Sequence, residues 1–463
     1  MKVPLISTSA MRKAFKRIFF TYIIVFSPVV ILAQELLPIL KAKLGENVEF
    51  IDSSRYREFY SVKYRQLKDH KDSSKGFFEH QMYIGHNDAT KPMVMIMDGY
   101  EVPPVNLVKN LKSEVTDRID ANQMIIEQRY FGASLPDNNK MEWLTYDQIA
   151  SDYHSIKNLL KDVYTDRWIG LGISKGGLNS LSYNFFYPGD VDATIVYVTP
   201  ILNNKEDKRI NEFLTVKRLS ESGKVIFDVQ MHLLRNKKKL LPVFSKMVKD
   251  KAGFEEMFRI RKDLKLPADI ETLYDLGVLE FDFNYWQYIG NYERMVTQNK
   301  RIFETLANGG LKIGVALSDK DSLVATLLPC IFWMVDSAYR PFLHQVITEN
   351  GFYGYSEHLF KPYLKNAKYS IDMIYKPQVK RNIKYITEFN SFLKKRLSKT
   401  LFIYGGDDPY TAAFPTISEN SDVLKIINPG TNHTTKIKDL SSLHKKLISD
   451  KLSAWLSMTV SFN

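Results

Sequence analysis

Two patterns of hydrophobic spacing divide the first half of the chain. The first is a set of short runs rich in β-branched and aromatic residues, Val48–Asp52, Phe59–Tyr64 and Phe78–Ile84. The second and third runs alternate roughly between apolar and polar side chains, which predicts antiparallel strands with one solvated face.

The second pattern is continuous rather than alternating. Unbroken apolar runs predict strands that are buried on both faces, as in a parallel sheet. Four such runs occur before residue 200 and two near the C-terminus: Met93–Met97, Met124–Ile126, Trp168–Leu171, Thr194–Val198, Leu401–Tyr404 and Val423–Ile427. Helix-like spacings lie between them, notably Tyr146–Val163, and Leu440–Leu456 predicts a closing helix. Strands that alternate with helices indicate the α/β class.

Residues 205–395 interrupt this alternation. They contain little strand signal, and apolar residues recur at helical spacing, as in Phe244, Met247 and Val248 and again in Phe254, Met257 and Phe258. The run Leu311–Leu317 fits a strand or a buried helix equally well. We therefore expect an α/β core formed by residues 34–204 and 396–463, with a mostly helical cap, residues 205–395, inserted after the fourth apolar strand.

The N-terminus predicts a signal peptide. Met1–Arg17 carries five basic residues and no acidic one, Ile18–Ala33 is almost wholly apolar, and Ala33 supplies a small residue for cleavage. The apolar run is shorter than the roughly 20 residues of a membrane-spanning helix. We expect residues 1–33 to be removed and the protein to be secreted or periplasmic, with no stable membrane insertion afterwards. An uncleaved N-terminal anchor is the alternative.

Composition and charge bear on nucleic-acid binding, disulfide bonds and metal binding. The net charge of the 463-residue chain falls from +12 to +7 once the five N-terminal basic residues are removed. The remaining positive charge is local, in short runs such as Arg235–Lys239. A solvated helix face explains such runs better than nucleic-acid binding does. The single cysteine, Cys330, permits no internal disulfide, so stability must come from a large core. No histidine has a metal-ligand spacing, and no metal site is expected.

The segment Gly172-Ile-Ser174-Lys-Gly176 follows an apolar strand and precedes a helix-compatible run. Its Gly-x-Ser-x-Gly form predicts a nucleophile elbow, the turn that lifts a serine hydroxyl above a parallel sheet. The two glycines fit this interpretation, because Ser174 would be strained and any flanking side chain would crowd it. A buried turn serine is the structural alternative.

Candidates for the other two members of a catalytic triad follow in the order Ser, Asp, His. Asp407 and Asp408 come directly after the strand Leu401–Tyr404, at the carboxyl edge where α/β sheets place their sites. Asp408 is the favoured acid, although turn chemistry alone accounts for both aspartates. His433 follows the last apolar strand and is the candidate base, with an ordinary loop histidine as the alternative.

Peptide or ester hydrolysis also needs two hydrogen-bond donors for the developing oxyanion. The backbone N–H of Lys175, next to Ser174, is one natural donor. The second is expected from the loop after Met93–Met97, at Gly99 or Tyr100.

Several segments resemble a known group of peptidases. Residues 127–136 read E-Q-R-Y-F-G-A-S-L-P and resemble the E-H-R-Y-Y-G-x-S-L-P segment of prolylcarboxypeptidase and dipeptidyl-peptidase II type serine peptidases. Leu144–Tyr153 is similar to their L-T-x-x-Q-A-x-x-D-Y helix start, and Asp408-Pro-Tyr410 to their D-P-W. Where those peptidases have Ser-Tyr-Gly-Gly, this chain has Ser174-Lys-Gly-Gly177. That sequence is more similar to the elbow of the secreted bacterial prolyl tripeptidyl and tetrapeptidyl aminopeptidases.

The resemblance implies an α/β-hydrolase fold, with the helical cap inserted after the sixth core strand, no cofactor, and exopeptidase action beside proline. It also implies that Ser174 is the nucleophile, His433 the general base and acid, and Asp408, which precedes proline, the residue that orients the histidine. Gln128 departs from the histidine at that position in the family segment, which leaves the role of this strand end open.

Substrate contacts have less support in the sequence. An aminopeptidase needs a carboxylate for the substrate ammonium group, and Glu101 and Glu127 are candidates. Glu101 as a solvated loop residue, and Glu127 in a structural pair with Arg129, are the alternatives. Aromatic residues of the insertion can stack on a proline ring or simply form the core of the cap: Phe281, Phe283, Tyr285 and Trp286.

The leading hypothesis is an exported serine exopeptidase that releases short, proline-ended peptides from free N-termini through an acyl-enzyme. Its only expected partners are peptide substrates. An esterase or lipase on the same fold is compatible with the elbow alone. A noncatalytic binding protein on a hydrolase scaffold is the third possibility.

Overall fold

The computed structural model describes residues 36–136, 140–249, 269–288, 320–377, 379–419 and 421–462. The predicted signal peptide lies outside the described residues. So do the helical spacing at Phe254–Phe258 and the ambiguous run Leu311–Leu317.

One mixed sheet organises the described residues. Its strands are β1 Val48–Asp52, β2 Glu58–Leu67, β3 Phe77–His86, β4 Met93–Met97, β5 Asn122–Ile126, β6 Trp168–Ile173, β7 Ala193–Tyr197, β8 Thr400–Gly405 and β9 Val423–Asn428. Their spatial order is β1-β2-β3-β5-β4-β6-β7-β8-β9. Strands β1 to β3 and the β3–β5 pair are antiparallel, and all pairs from β5 to β9 are parallel. The predicted α/β-hydrolase fold is confirmed.

Helices cover both faces of the parallel part and form the cap. The described helices are Leu36–Leu44, Val105–Val108, Glu114–Arg118, Tyr146–Leu160, Lys175–Phe186, Lys208–Lys217, Glu221–Arg235, Lys237–Lys249, Ile270–Tyr288, Lys320–Ala325, Leu327–Val335, Arg340–Thr348, Ile383–Lys395 and Ser442–Leu456. The predicted helix at Tyr146 begins where expected because the Thr145 hydroxyl accepts the Gln148 N–H and caps it. It ends at Leu160, three residues before the predicted end.

The continuous apolar runs are explained by two core layers. Along β4, Met93, Met95 and Met97 pack on the side of helices Tyr146–Leu160 and Lys175–Phe186. Val94 points the opposite way and packs on the side of the closing helix, Ser442–Leu456. Because successive side chains of a strand point to opposite faces, a strand covered on both sides must be apolar at every position.

The cap follows β7, and its described regular elements are helices, together with one isolated bridge between Glu206 and Phe352. They bury their own apolar cluster, to which Ala413 of the loop after β8 also belongs. Helix Ile383–Lys395, although inside the predicted insertion, packs with the core layer, and its Tyr385 hydroxyl bonds to Ser182 Oγ at 2.8 Å. This packing places the return to the core before residue 383 rather than at residue 396.

A buried ion pair fixes the segment that carries the family resemblance. The Arg129 guanidinium donates to both carboxylate oxygens of Asp152, from Nε at 2.7 Å and from Nη2 at 2.6 Å. Its remaining donors go to the carbonyls of Leu67, Lys68 and Trp143. All five donors of Arg129 are therefore used, and the alternative that it pairs with Glu127 is wrong.

We expect Arg129→Met to lower the free energy of unfolding by about 3–5 kcal/mol, because it leaves the Asp152 carboxylate buried without its cation. Burial alone would raise the pKa of Asp152, but the charge and hydrogen bonds of Arg129 and the bond from His70 outweigh it and hold the pKa at about 2. This stabilisation is therefore complete above the unfolded value of 3.8 and is lost as the pH falls through 2.

Urea unfolding at pH 7 measures this change. The matched control is the double variant Arg129→Met, Asp152→Leu, which removes both charges and should recover part of the loss. A double variant no more stable than Arg129→Met would contradict the assignment of the loss to an unpaired buried charge.

Candidate active site

Ser174 occupies the turn between β6 and the helix Lys175–Phe186, which we call the elbow helix. Its backbone has φ 54° and ψ −123°, a left-handed conformation that a side chain makes costly. The Ser174 N–H donates to Tyr197 O of β7 at 2.8 Å, and its side chain makes no capping bond to the elbow helix. The hydroxyl is therefore not used to start the helix, as a nucleophile requires.

The two glycines of the elbow are required by close backbone approach. A Cβ at Gly172 would lie 2.1 Å from the carbonyl oxygen of Gly176. A Cβ at Gly176 would lie 2.5 Å from the carbonyl oxygen of Met97, at the end of β4. Since both distances are far below van der Waals contact, only glycine fits at either position.

The predicted acid and base are in direct contact. His433 Nδ1 lies 2.7 Å from Asp408 Oδ2, and Asp408 is fully buried. The other carboxylate oxygen of Asp408 accepts the N–H of Tyr410 at 3.0 Å, which fixes the plane of the carboxylate. A carboxylate that accepts Nδ1–H leaves the Nε2 lone pair of the imidazole available as a base.

Asp407, the competing acid, faces the cap instead. Its carboxylate forms an ion pair with Lys217, and its backbone N–H donates to Thr431 O at 2.8 Å. The two neighbouring aspartates thus have different partners, and of the two it is Asp408 that bonds to His433.

The cap reaches His433 through its central helix, Ile270–Tyr288. The carbonyl oxygen of Gln287 accepts the backbone N–H of His433 at 3.1 Å. The Tyr288 ring lies edge-on, 5.8 Å from the imidazole, and the Tyr410 ring lies 5.6 Å from it. The candidate base is therefore held between a core loop and the end of a cap helix, and it is 9% exposed.

The predicted oxyanion loop, Asp98–Glu101, lies against the elbow. A Cβ at Gly99 would approach the Gly176 nitrogen to 2.6 Å. The Tyr100 N–H donates to Asp98 Oδ1 at 3.1 Å, so a substrate oxyanion at this position would share or replace that bond. Burial raises the pKa of Asp98 to about 6, against the opposing effect of these backbone N–H groups and the charge of Lys175.

The Lys175 side chain was missed by sequence reasoning, which considered only its backbone N–H. The ammonium group donates to Gly99 O at 2.7 Å and to Gln128 Oε1. It lies over the rings of Tyr100 and Phe131, at 5.3 and 4.9 Å from their centroids. Burial lowers the pKa of Lys175 well below its usual range, while the charge of Asp98 opposes the shift. The departure from tyrosine at this position was the signal that could have found it.

The two candidate carboxylates for a substrate amine differ in availability. Glu127 is buried, and its oxygens accept the N–H groups of Val102, Ala133 and Ser134 at 2.8–3.0 Å as well as the Ser134 hydroxyl. It therefore holds the turn of residues 131–134 in place. Glu101 is exposed, in the loop beside the elbow.

The aromatic candidates of the insertion lie in the core of the cap. Phe283 stacks on Tyr353 with ring centroids 4.0 Å apart and contacts Tyr410 edge-on at 5.2 Å. Trp286 is buried and lies under the Lys217 ammonium group at 4.7 Å. The Tyr410 ring contacts both Phe283 and His433, and it therefore lies between them.

Within the described ranges, no cluster of three or more His, Cys, Asp or Glu side chains is arranged to hold a metal ion. The helices of those ranges also include none that combines the length and apolar character needed to cross a bilayer.

Comparison with known proteins identifies the family. The family model described as PS-10 peptidase S37 matches residues 30–461. A curated relative, the prolyl tri/tetrapeptidyl aminopeptidase of Streptomyces mobaraensis, is 29% identical over 244 residues, which are 52% of this chain and 48% of the relative. The chain thus spans about half the length of the curated relative it matches.

Solved structures show weaker similarity. A proline iminopeptidase from Mycobacterium smegmatis is 12% identical with a TM-score of 0.35, over 82% of this chain and 96% of that one. A proline iminopeptidase-related protein from Thermus thermophilus is 10% identical with a TM-score of 0.37, over 89% and 98% of the two chains.

The family match covers nearly the whole chain and agrees with the motifs at residues 127–136, 174–177 and 408–410. The resemblance inferred from those motifs is confirmed, and the chain belongs to the S37 family of peptidases.

Proposed function

We propose that the protein is an exported serine exopeptidase that releases short, proline-ended peptides from free N-termini. The observation that carries this proposal is the 2.7 Å contact between His433 Nδ1 and Asp408 Oδ2, in a chain of the S37 peptidase family whose Ser174 occupies a strained strand-to-helix turn. The name of the Streptomyces mobaraensis relative supports proline-ended tri- and tetrapeptides as the products.

In the proposed mechanism, Asp408 holds the imidazole so that His433 Nε2 removes the proton from the Ser174 hydroxyl. The Ser174 oxygen attacks the carbonyl carbon of the proline residue, and the oxyanion forms beside the backbone N–H groups of Lys175 and Tyr100. His433 then returns the proton to the leaving amine, and an acyl-enzyme remains. Water, activated by the same imidazole, releases the short peptide and restores Ser174.

Exopeptidase action requires recognition of the substrate N-terminus. Of the two predicted carboxylates, Glu101 is the better candidate, because it is exposed beside the elbow, whereas the oxygens of Glu127 are used by backbone N–H groups. Tyr410 is the ring nearest to His433 from the core side, and Phe283 supports it. We assign proline contact to this pair, with Trp286 further along the same cap helix.

The first test is a set of peptides with proline at positions two to four, offered with free and with acetylated N-termini to a chain that lacks residues 1–33. Products are identified by mass spectrometry. We expect cleavage after proline only when the amine is free, and the position cleaved gives the number of residues released. Equal cleavage of acetylated peptides would indicate an endopeptidase, and cleavage of ester substrates alone would favour the esterase alternative.

Ser174→Ala tests the nucleophile. We expect turnover and labelling by a fluorophosphonate probe to be lost, because both need the hydroxyl oxygen. The melting temperature should stay nearly unchanged, since the Ser174 side chain caps no helix. Hydrolysis retained by this variant would refute the assignment.

Asp408→Asn and Asp407→Asn form a matched pair of variants. In Asp408→Asn the amide oxygen keeps the Tyr410 N–H, so the NH2 group faces His433 Nδ1, the imidazole takes the wrong tautomer, and kcat should fall by about 10⁴-fold. Asp407→Asn removes an ion pair with Lys217, and we expect kcat to change by less than about threefold. Steady-state kinetics decides the assignment, and a larger loss in Asp407→Asn would reverse it.

A further inference from the structure

The side chain that follows the proposed nucleophile is a buried lysine whose oxygen contacts are all with neutral groups. Lys175 is 2% exposed. Its ammonium group donates to the Gly99 carbonyl and to the Gln128 side-chain oxygen, and it packs over the Tyr100 and Phe131 rings. Burying an amine costs free energy even when it is hydrogen-bonded, and a tyrosine or a methionine would avoid that cost. The free-energy cost of burying an amine at position 175 therefore indicates that Lys175 has a functional role.

The explanation lies in the loop that the lysine holds. Three successive carbonyl oxygens of this loop accept hydrogen bonds from the protein interior. Asp98 O accepts from Asn179 Nδ2 at 2.6 Å, Gly99 O from Lys175 Nζ at 2.7 Å, and Tyr100 O from the Gln128 N–H at 3.2 Å. In a planar trans peptide the C=O and the following N–H point in opposite directions. The bond from Lys175 to Gly99 O therefore sets the direction of the Tyr100 N–H.

Gln128 is the second anchor of the same network. Its Oε1 atom accepts from Lys175 Nζ and from Asn179 Nδ2 at 2.9 Å, while its Nε2 atom donates to Gln345 Oε1 at 2.7 Å. An amide oxygen has two lone pairs and can accept both bonds, whereas a neutral imidazole has a single acceptor nitrogen. Two departures of this chain from the prolylcarboxypeptidase motifs, at Gln128 and Lys175, are thus in direct contact.

We propose that the Lys175 side chain is a positioning residue for the oxyanion hole. It orients the Gly99–Tyr100 peptide so that the Tyr100 N–H, which donates to Asp98 Oδ1 at 3.1 Å in the free protein, is shared with or transferred to the developing negative charge. Gln128 is the partner that holds the Lys175 ammonium group. The inference rests on the proposed function, because it needs Ser174 to act as a nucleophile. It assigns the second oxyanion donor to Tyr100 rather than to Gly99.

Lys175→Met tests this role, since methionine fills a similar volume without a donor. A misdirected oxyanion donor costs transition-state binding and leaves substrate binding intact. We expect kcat to fall by about 100-fold, KM to change by less than about threefold, and the affinity for a proline-ended peptide boronate to fall in proportion to kcat. The boronate is informative because its tetrahedral adduct with serine places an oxygen in the oxyanion hole.

Two controls separate positioning from packing. Phe131→Leu removes one ring, which lies beside the ammonium group and the Tyr100 ring, but none of the Lys175 hydrogen bonds, and should lower kcat by at least about 10-fold less than Lys175→Met does. Gln128→Leu should lower kcat by about 10-fold, and combined with Lys175→Met it should add little, because the two side chains act as a unit. A Lys175→Met variant that loses thermal stability but keeps both kcat and boronate affinity would overturn the proposal. If Lys175→Met does not fold, unchanged kcat in Gln128→Leu would overturn it.

Fluorophosphonate labelling separates failure of this inference from failure of the proposed function. If the parent chain is labelled at Ser174 but cleaves no peptide, the peptidase assignment fails. The role of Lys175 is then measured by the labelling rate, which we expect to be at least about 10-fold lower in Lys175→Met, and an unchanged rate would overturn it. If the parent is not labelled at all, Ser174 is not a nucleophile and both proposals are overturned.

Discussion

The close approach of three backbone segments at Gly99, Gly172 and Gly176 is the constraint on which the site depends. The end of β4, the end of β6 and the start of the elbow helix meet at distances that leave no room for a Cβ. Such contact forces Ser174 into a left-handed conformation and brings the loop Asp98–Glu101 beside it. The two core layers supply the packing free energy that keeps these segments together against that strain.

The remaining parts of the site are attached to this centre from two directions. Loops after β8 and β9 bring Asp408 and His433 to the carboxyl edge of the sheet, where parallel strands all end. The cap then contacts the histidine through Gln287 and Tyr288 at the end of its central helix. A displacement of that helix would therefore move the candidate base.

The sequence predicted the features that depend on local pattern and left open those that depend on distant partners. Buried strands were predicted from continuous apolar runs because both faces of the sheet are covered. The choice between Asp407 and Asp408 depends on Lys217, which lies on a different element of the chain, and local turn chemistry is the same for both. Arg129 similarly takes Asp152, 23 residues away, instead of the nearby Glu127. Long-range partners of buried charges cannot be derived from spacing alone.

Gln128 illustrates how a departure from a motif should be interpreted. Considered alone, the loss of a histidine from the family segment left the role of this strand end open. In the structure, the Gln128 side chain contacts Lys175, Asn179 and Gln345 and is fully buried. Glutamine at this position is compatible with an intact nucleophile, because both polar atoms of the buried Gln128 side chain are hydrogen-bonded. Two departures that contact each other are therefore weaker grounds for lost catalysis than two that are independent.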